Sequence, residues 1–350
     1  MLSRFIHIAL PLLILFISNI SHALVVLQYH HVDEESPAST SVSPEQFLQH
    51  MQLIEDLGLE VVDLELASRH ILSRNAPHTK SNTATKPQVA ISFDDAYYSI
   101  FANAYPELKR RNWPFTIFVN TQAVNENNRG IMSWPQIKQL VNDGVSIANH
   151  SISHAHLPSV PADMTLPQWL DQEVLKAQQE LQQRLGKVGN MLAYPYGEFT
   201  LAMTPWLEEH NMLAFGQQSG PIGALSHPQA LSRFPASGIY ADLNSLKTKL
   251  LSLALPIDKF QLKDPIIYTD NNPPKLNLVL LDSDYNAENI QCFASQQGSI
   301  ETQVQRVRSK RVLSTQAALP LSNKRARYNC TVMSNQPGRF YWYSQPWQMY

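Results

Sequence analysis

At 350 residues the chain has room for one large domain and one small one, on a prior of about 150 residues per domain. Hydrophobic content of 44% beside 16% charged residues excludes a disordered chain. A net charge of -2 excludes the strongly basic balance of a nucleic-acid binder.

The chain begins with Arg4 ahead of an apolar stretch from Phe5 to Ile17, and Ser21-His22-Ala23 places small residues at a cleavage point. This is the layout of a secretory signal peptide over residues 1–23. Its apolar part, about thirteen residues, is shorter than the roughly twenty a membrane span requires, and retention as an anchor is the weaker alternative. An exported protein, periplasmic or extracellular and without a stable membrane span after cleavage, is the expectation.

From residue 24 to 264 short apolar runs alternate with helical segments. Strands are predicted at Leu24–Tyr29, Val61–Leu64, Val89–Phe93, Phe115–Val119, Val145–Ala148, Met191–Tyr194, Met212–Phe215 and Leu231–Phe234. Most are continuous apolar runs, as expected of strands covered on both faces. Between them, Ser43 with Gln46 has capping-box spacing with Pro44 at the first helical position, and Ser133 with Gln136 repeats the spacing. A longer helix is predicted from Leu166 to Leu185, stopped by Gly186. This alternation predicts an α/β fold of barrel type, with chemistry gathered at the C-terminal ends of the strands. The polar stretch Ser73–Lys86 reads as a surface loop, and Pro273-Pro274 as a linker.

Residues 275–350 change character. Runs at Leu276–Leu281, Ile290–Ser295, Gln303–Val307, Tyr328–Met333 and Arg339–Tyr343 predict a small all-β domain. Its aromatic end, Phe340-Tyr341-Trp342-Tyr343 with Trp347, reads first as a strand with half its rings in the core, and second as a sugar-stacking surface. Arg306, Arg308, Lys310, Arg311, Lys324, Arg325 and Arg327 read as a solvated face. The chain's two cysteines, Cys292 and Cys330, either form one bridge, as an oxidising compartment favours, or remain two buried thiols.

Polar clusters follow several of the predicted strands. Ser92-Phe93-Asp94-Asp95 sets two carboxylates at a strand end, where alternation sends them apart; one can bind a cation while the other takes a proton. Either can instead cap the next helix. His150-Ser151-Ile152-Ser153-His154 spaces two imidazoles for a shared ion, although about 0.4 such pairs arise by chance from this composition. His156 is a further ligand candidate or a surface group. One carboxylate with two histidines is a common catalytic metal set. Tyr194-Pro195-Tyr196-Gly197 is a tight aromatic turn, and His30, in Gln28-Tyr29-His30-His31-Val32, ends the first strand.

In order and spacing these clusters resemble the polysaccharide deacetylase family (NodB homology, carbohydrate esterase family 4), and the Tyr29-His30-His31-Val32 start resembles its poly-N-acetylglucosamine deacetylase branch. The resemblance spans Leu24 to Phe234. It implies a distorted barrel of about seven strands. It also implies Asp94 as general base, Asp95 with His150 and His154 as ligands of a divalent ion, first of all zinc, and His30 as the catalytic histidine. Tyr194, Pro195, Tyr196 and Gly197 would line the groove, with the Tyr196 N–H on the oxyanion. The implied substrate is an N-acetylated amino-sugar polysaccharide. Two positions depart from the pattern: Ala96 replaces a glycine, and Ala193 stands where an arginine usually orients the base. Arg233 is the candidate to replace that arginine. Without it the alternative is a non-catalytic glycan-binding envelope protein on a degenerate barrel.

Overall fold

A computed structural model describes residues 23–73, 86–258 and 262–349. The expected signal peptide and most of the predicted polar loop lie outside the described residues. Among the described residues no helix is long and apolar enough to cross a membrane.

Leu24–Tyr29 is buried at every position because neighbours cover it on both sides and on both faces. It pairs in parallel with Gln88–Asp94 on one edge and with Phe234–Pro235 on the other. From Gln88–Asp94 the sheet continues through Thr116–Val119, Ser146–Asn149, Met191–Ala193 and Leu213–Phe215, all parallel and in chain order. This is a curled sheet of seven strands, a distorted barrel, with Glu60–Val61 paired to Gln88–Val89 off the main path. Leu231 bridges Phe215 while Phe234 pairs with Leu27, so residues 231–235 run from the last strand back to the first.

Alternation along the strands divides the core. Val25, Leu27, Val89, Ile91, Ile117 and Ile147 join the cluster under the helices. Leu24, Val26, Ala90, Phe118, Ala148 and Phe215 fill the barrel interior. Gln28, Ser92 and Asp94 extend the interior rows at the C-terminal ends of their strands, which is where polar groups gather.

The helix Pro44–Asp56 opens with the expected capping box, Gln46 N donating to Ser43 Oγ and Ser43 N to Gln46 Oε1, both at 3.1 Å. The predicted strand Val61–Leu64 is corrected: pairing stops at Val61, and Asp63 caps a helix, Leu64–Leu72, by accepting the Leu66 N–H at 2.9 Å. Local capping there prevails over the apolar run. The helix expected over Leu166–Leu185 is present but carries a π-type turn at Asp171–Leu175.

After the barrel, Leu253–Ala254 and Ile266–Ile267 pair with Phe340–Met349, which continues through Arg325–Met333 and Gln291–Ala294 to Gly298–Ile300. A second sheet joins Lys275–Leu280, Lys310–Gln316 and Thr302–Val307. Gly298–Ile300 and Lys310–Gln316 were not predicted, because glycine or charged residues interrupt their apolar pattern. Leu276, Leu313, Tyr328, Tyr341 and Trp347 share one core. Cys292 and Cys330 are register partners, joined as a disulfide. On the opposite face Trp342 meets Phe234 of the barrel edge-on, ring centroids 5.3 Å apart. The aromatic end of the chain is thus packed into a core and against the barrel.

Candidate active site

Four residues around the barrel mouth have left-handed backbone: Asp95 (φ 61), Ser151 (φ 66), His154 (φ 57) and Tyr196 (φ 59). Such conformations in non-glycine residues cost on the order of 1 kcal/mol or more each and gather at functional sites. For Asp95 the turn follows directly on the interior-facing Asp94, so the adjacent carboxylates diverge.

Asp95 Oδ1 stands 3.7 Å from His150 Nε2 and 3.6 Å from His154 Nε2. One ligand atom from each residue lies within 4.8 Å of the others. Bonds of about 2.0–2.1 Å in a tetrahedral zinc site put donors roughly 3.3–3.4 Å apart, so the two Asp95–imidazole separations are close to those a shared ion requires. His150 Nδ1 is 2.7 Å from the Ala193 carbonyl, which only accepts; Nδ1 therefore carries the proton and Nε2 presents its lone pair. Burial lowers the pKa of His150 and brings His154 down to about 4, so both imidazoles stay neutral. Asn120 Nδ2 donates to Asp95 Oδ1 at 3.0 Å, and the Tyr97 hydroxyl, its pKa raised by burial and by the Asp95 charge, lines the same groove.

The π-type turn secures the histidine loop. Ile152 N donates to the Glu173 carbonyl at 2.9 Å, and Ser153 N and Oγ reach Glu173 Oε2 at 3.0 and 2.9 Å. Asn149 Nδ2 donates to the Val174 carbonyl at 2.8 Å. Widening a helix by one residue frees carbonyls to accept outside bonds, a common device beside sites.

Asp94 is fully buried. Arg233 Nη1 and Nη2 bind its Oδ1 and Oδ2 at 2.6 and 2.8 Å, and Gln28 Nε2 donates to Oδ2 at 2.6 Å. Arg233 is itself aimed by the Gly216 carbonyl, 3.0 Å from Nε, and lies over the Phe118 ring. Burial raises the Asp94 pKa, but the Arg233 guanidinium, with His150 and His30, outweighs it and holds the carboxyl well below the usual range. His30 Nε2 is 3.9 Å from Asp94 Oδ2. Gln28, Asn120 and Glu173 were missed from sequence; the one signal was a lone Gln in an otherwise apolar strand.

Of the aromatic turn, only Tyr196 reaches the groove. The Tyr194 ring is buried, stacks on Phe199 and donates to the Gln229 carbonyl at 2.8 Å; Pro195 and Gly197 are buried too. The expectation that all four line the groove is corrected, since a ring continuing the Met191–Ala193 strand packs in the core. The Tyr196 ring lies edge-on to His154 and stacks on His156, centroids 4.5 and 4.1 Å apart. His156 Nδ1 meets Glu198 Oε2 at 2.6 Å, outside the ligand cluster. Tyr196 borders a groove of about 930 Å³ that also takes in His30, Asp95 and His154, with Arg325 and Arg327 of the C-terminal sheet on its wall.

Residues 81–215 match the family model described as polysaccharide deacetylase. YxkH of Bacillus subtilis (strain 168), which carries a polysaccharide deacetylase name, is 25% identical over 218 residues, 62% of this chain and 69% of that one. Among solved structures, the deacetylase PplD of Streptococcus pyogenes, in complex with acetate, is similar with a TM-score of 0.57 at 23% identity, covering 65% of this chain and 98% of that one. IcaB from Ammonifex degensii aligns with a TM-score of 0.54 at 23% identity over 64% and 96% of the two chains. The fold is that of the polysaccharide deacetylase barrels, with a candidate cation site at Asp95, His150 and His154. The family model, the curated relatives and the solved structures together support the polysaccharide deacetylase family, and that family implies hydrolysis of an amide bond. His30, Arg233 and the C-terminal sheet lie outside the matched segment.

Proposed function

We propose that this protein is an exported, metal-dependent N-deacetylase that releases acetate from an N-acetylated amino-sugar polysaccharide, of the poly-N-acetylglucosamine deacetylase branch. The observation that carries the reading is the placement of an Arg233-held Asp94 directly beside the Asp95–His150–His154 cluster. We assign the catalytic barrel to residues 24–264, of which Leu253–Ala254 joins the C-terminal sheet, and an accessory domain to residues 275–350.

Two imidazoles with one carboxylate favour zinc among the common divalent ions. Bound there, the ion would supply Lewis acidity for the acetyl carbonyl and lower the pKa of a water toward about 7. Asp94, held ionised, accepts the proton of the attacking water. Its clamped carboxylate is a weak base, which suits a water already acidified. The Tyr196 N–H stabilises the developing oxyanion, a task for which its left-handed turn is preset. His30 delivers a proton to the departing amine. Products are acetate and a sugar with a free amine.

The non-catalytic alternative drew its support from Ala193, where an arginine is usual. Arg233 grips Asp94 instead, which removes that support. The deciding experiment is acetate release from N-acetylglucosamine oligomers, with and without chelator and in Asp94→Asn. We expect release only from ion-loaded wild type; unchanged release from Asp94→Asn refutes the base assignment.

A further inference from the structure

Arg325 and Arg327 are two apart on one strand and so share a face, the one turned toward the barrel. Arg325 has a carboxylate near it, Glu198 at 3.7 Å, and lies over the Tyr196 ring. Arg327 is held by neutral oxygens: Nη1 is 3.0 Å from Ser219 Oγ and 3.5 Å from the Gln217 carbonyl. Among the described residues no carboxylate pairs with it. The groove lining also holds a third arginine, Arg129, and two acidic side chains, Glu126 and Asp95, the latter in the cation cluster. Three arginines thus stand against two carboxylates in the lining, and Arg327 is the one for which no carboxylate partner is seen among the described residues.

Acetylated amino sugars are neutral and offer a guanidinium only uncharged hydroxyl and carbonyl oxygens, whereas deacetylated ones are cationic and repel it; bonds to an ionised acceptor are about twice as strong as those to a neutral one. A guanidinium presenting donors to a groove in a confined, low-dielectric wall matches carboxylate or phosphate oxygens.

We infer that Arg327, with Arg325 beside it, forms an anion-binding subsite in the substrate groove, so that the polysaccharide carries an oxyanionic substituent on a sugar neighbouring the one that is deacetylated. This rests on the deacetylase reading but not on the poly-N-acetylglucosamine branch, whose unmodified homopolymer carries no such group. The subsite is built by the C-terminal sheet, which gives that sheet a direct part in substrate choice.

The test is a binding titration on the mature chain with three N-acetylglucosamine oligomers of equal length: unmodified, bearing a lactyl carboxylate, and bearing a phosphate. We expect at least one anionic oligomer to bind about tenfold more tightly than the neutral one at low salt, a difference of about 1.4 kcal/mol. Which one does so identifies the anion. High salt should erase the preference, as should Arg327→Gln, while Arg327→Lys keeps part of it. Equal affinity of wild type for all three overturns the subsite, and a preference undiminished in a folded Arg327→Gln overturns its assignment to Arg327. If that variant does not fold, the wild-type comparison still decides. Acetate release, measured in parallel, reports separately on the deacetylase reading: selective binding without release leaves the subsite standing, and release with equal binding removes it.

Discussion

The Arg233 guanidinium holds both carboxylate oxygens of Asp94, at 2.6 and 2.8 Å, with both side chains fully buried. The pair lies 139 positions apart in the chain and joins the closing segment of the barrel to the end of an inner strand. Losing one partner strands a buried charge, at a cost of about 3–5 kcal/mol. Arg233→Met should therefore lower the midpoint of thermal unfolding and raise the Asp94 pKa. A depressed carboxyl contributes stability that is present above its unfolded value near 3.9 and is lost as pH falls through the native value. The acid limb of kcat/KM should move to higher pH in the variant; an unmoved limb shows that the guanidinium does not govern the base.

His150→Ala and Asp95→Asn should each lose the bound ion, measured as metal per chain after gel filtration. Asp94→Asn should keep it, because Asp94 faces Arg233 and Gln28. Full occupancy in His150→Ala would remove that residue from the ligand set.

His30 borders the groove beside Asp94 and outside the ligand cluster. His30→Ala should reduce kcat by roughly 10²–10⁴, the usual contribution of a general acid, with metal content unchanged. Wild-type turnover in this variant assigns the proton to another donor.

His50 predicts how stability depends on pH. Its Nε2 lies 2.8 Å from the Ala241 carbonyl and its Nδ1 3.0 Å from the Tyr29 hydroxyl, so the neutral ring is satisfied at both nitrogens. Burial lowers its pKa, only partly offset by the Ala241 carbonyl. The native state thus binds fewer protons than the unfolded chain, and stability falls as pH drops below about 6.5 toward the native value. Urea unfolding of ion-free protein at pH values between about 7 and 5 should show a shallower loss in His50→Gln than in wild type. Equal slopes would sink the assignment.

The Cys292–Cys330 bridge closes a separation of 38 residues, for which loop entropy predicts about 2–4 kcal/mol. Cys292→Ala with Cys330→Ala should lower the urea midpoint of the C-terminal sheets. An unchanged midpoint means that the paired strands hold without the bridge.

Some of this was readable before any coordinates. Continuous apolar runs revealed most barrel strands, because a strand covered on both faces has no polar side to show. Asp94-Asp95 and His150 with His154 stood out because adjacency and spacing are local properties. Gln28 and Asn120 did not, since polar residues are ordinary at strand ends; partners 66 and 25 positions away make them functional. Glu173 looked like any helical glutamate until the π-type turn set it under Ser153. Arg325 and Arg327 read as a solvated face, because nothing local reports that their strand lies along the groove.

By itself the sequence determined which segments become strands, where the capped helices begin and which residue types can ligate a cation, all of them consequences of side-chain chemistry within a few positions. Tertiary structure alone decided that Tyr194 turns into the core while Tyr196 turns to the groove, that Arg233 meets Asp94, and that the last sheet walls the groove. Those outcomes depend on register and on closure of the sheet through residues 231–235, which bring together atoms that no local pattern relates.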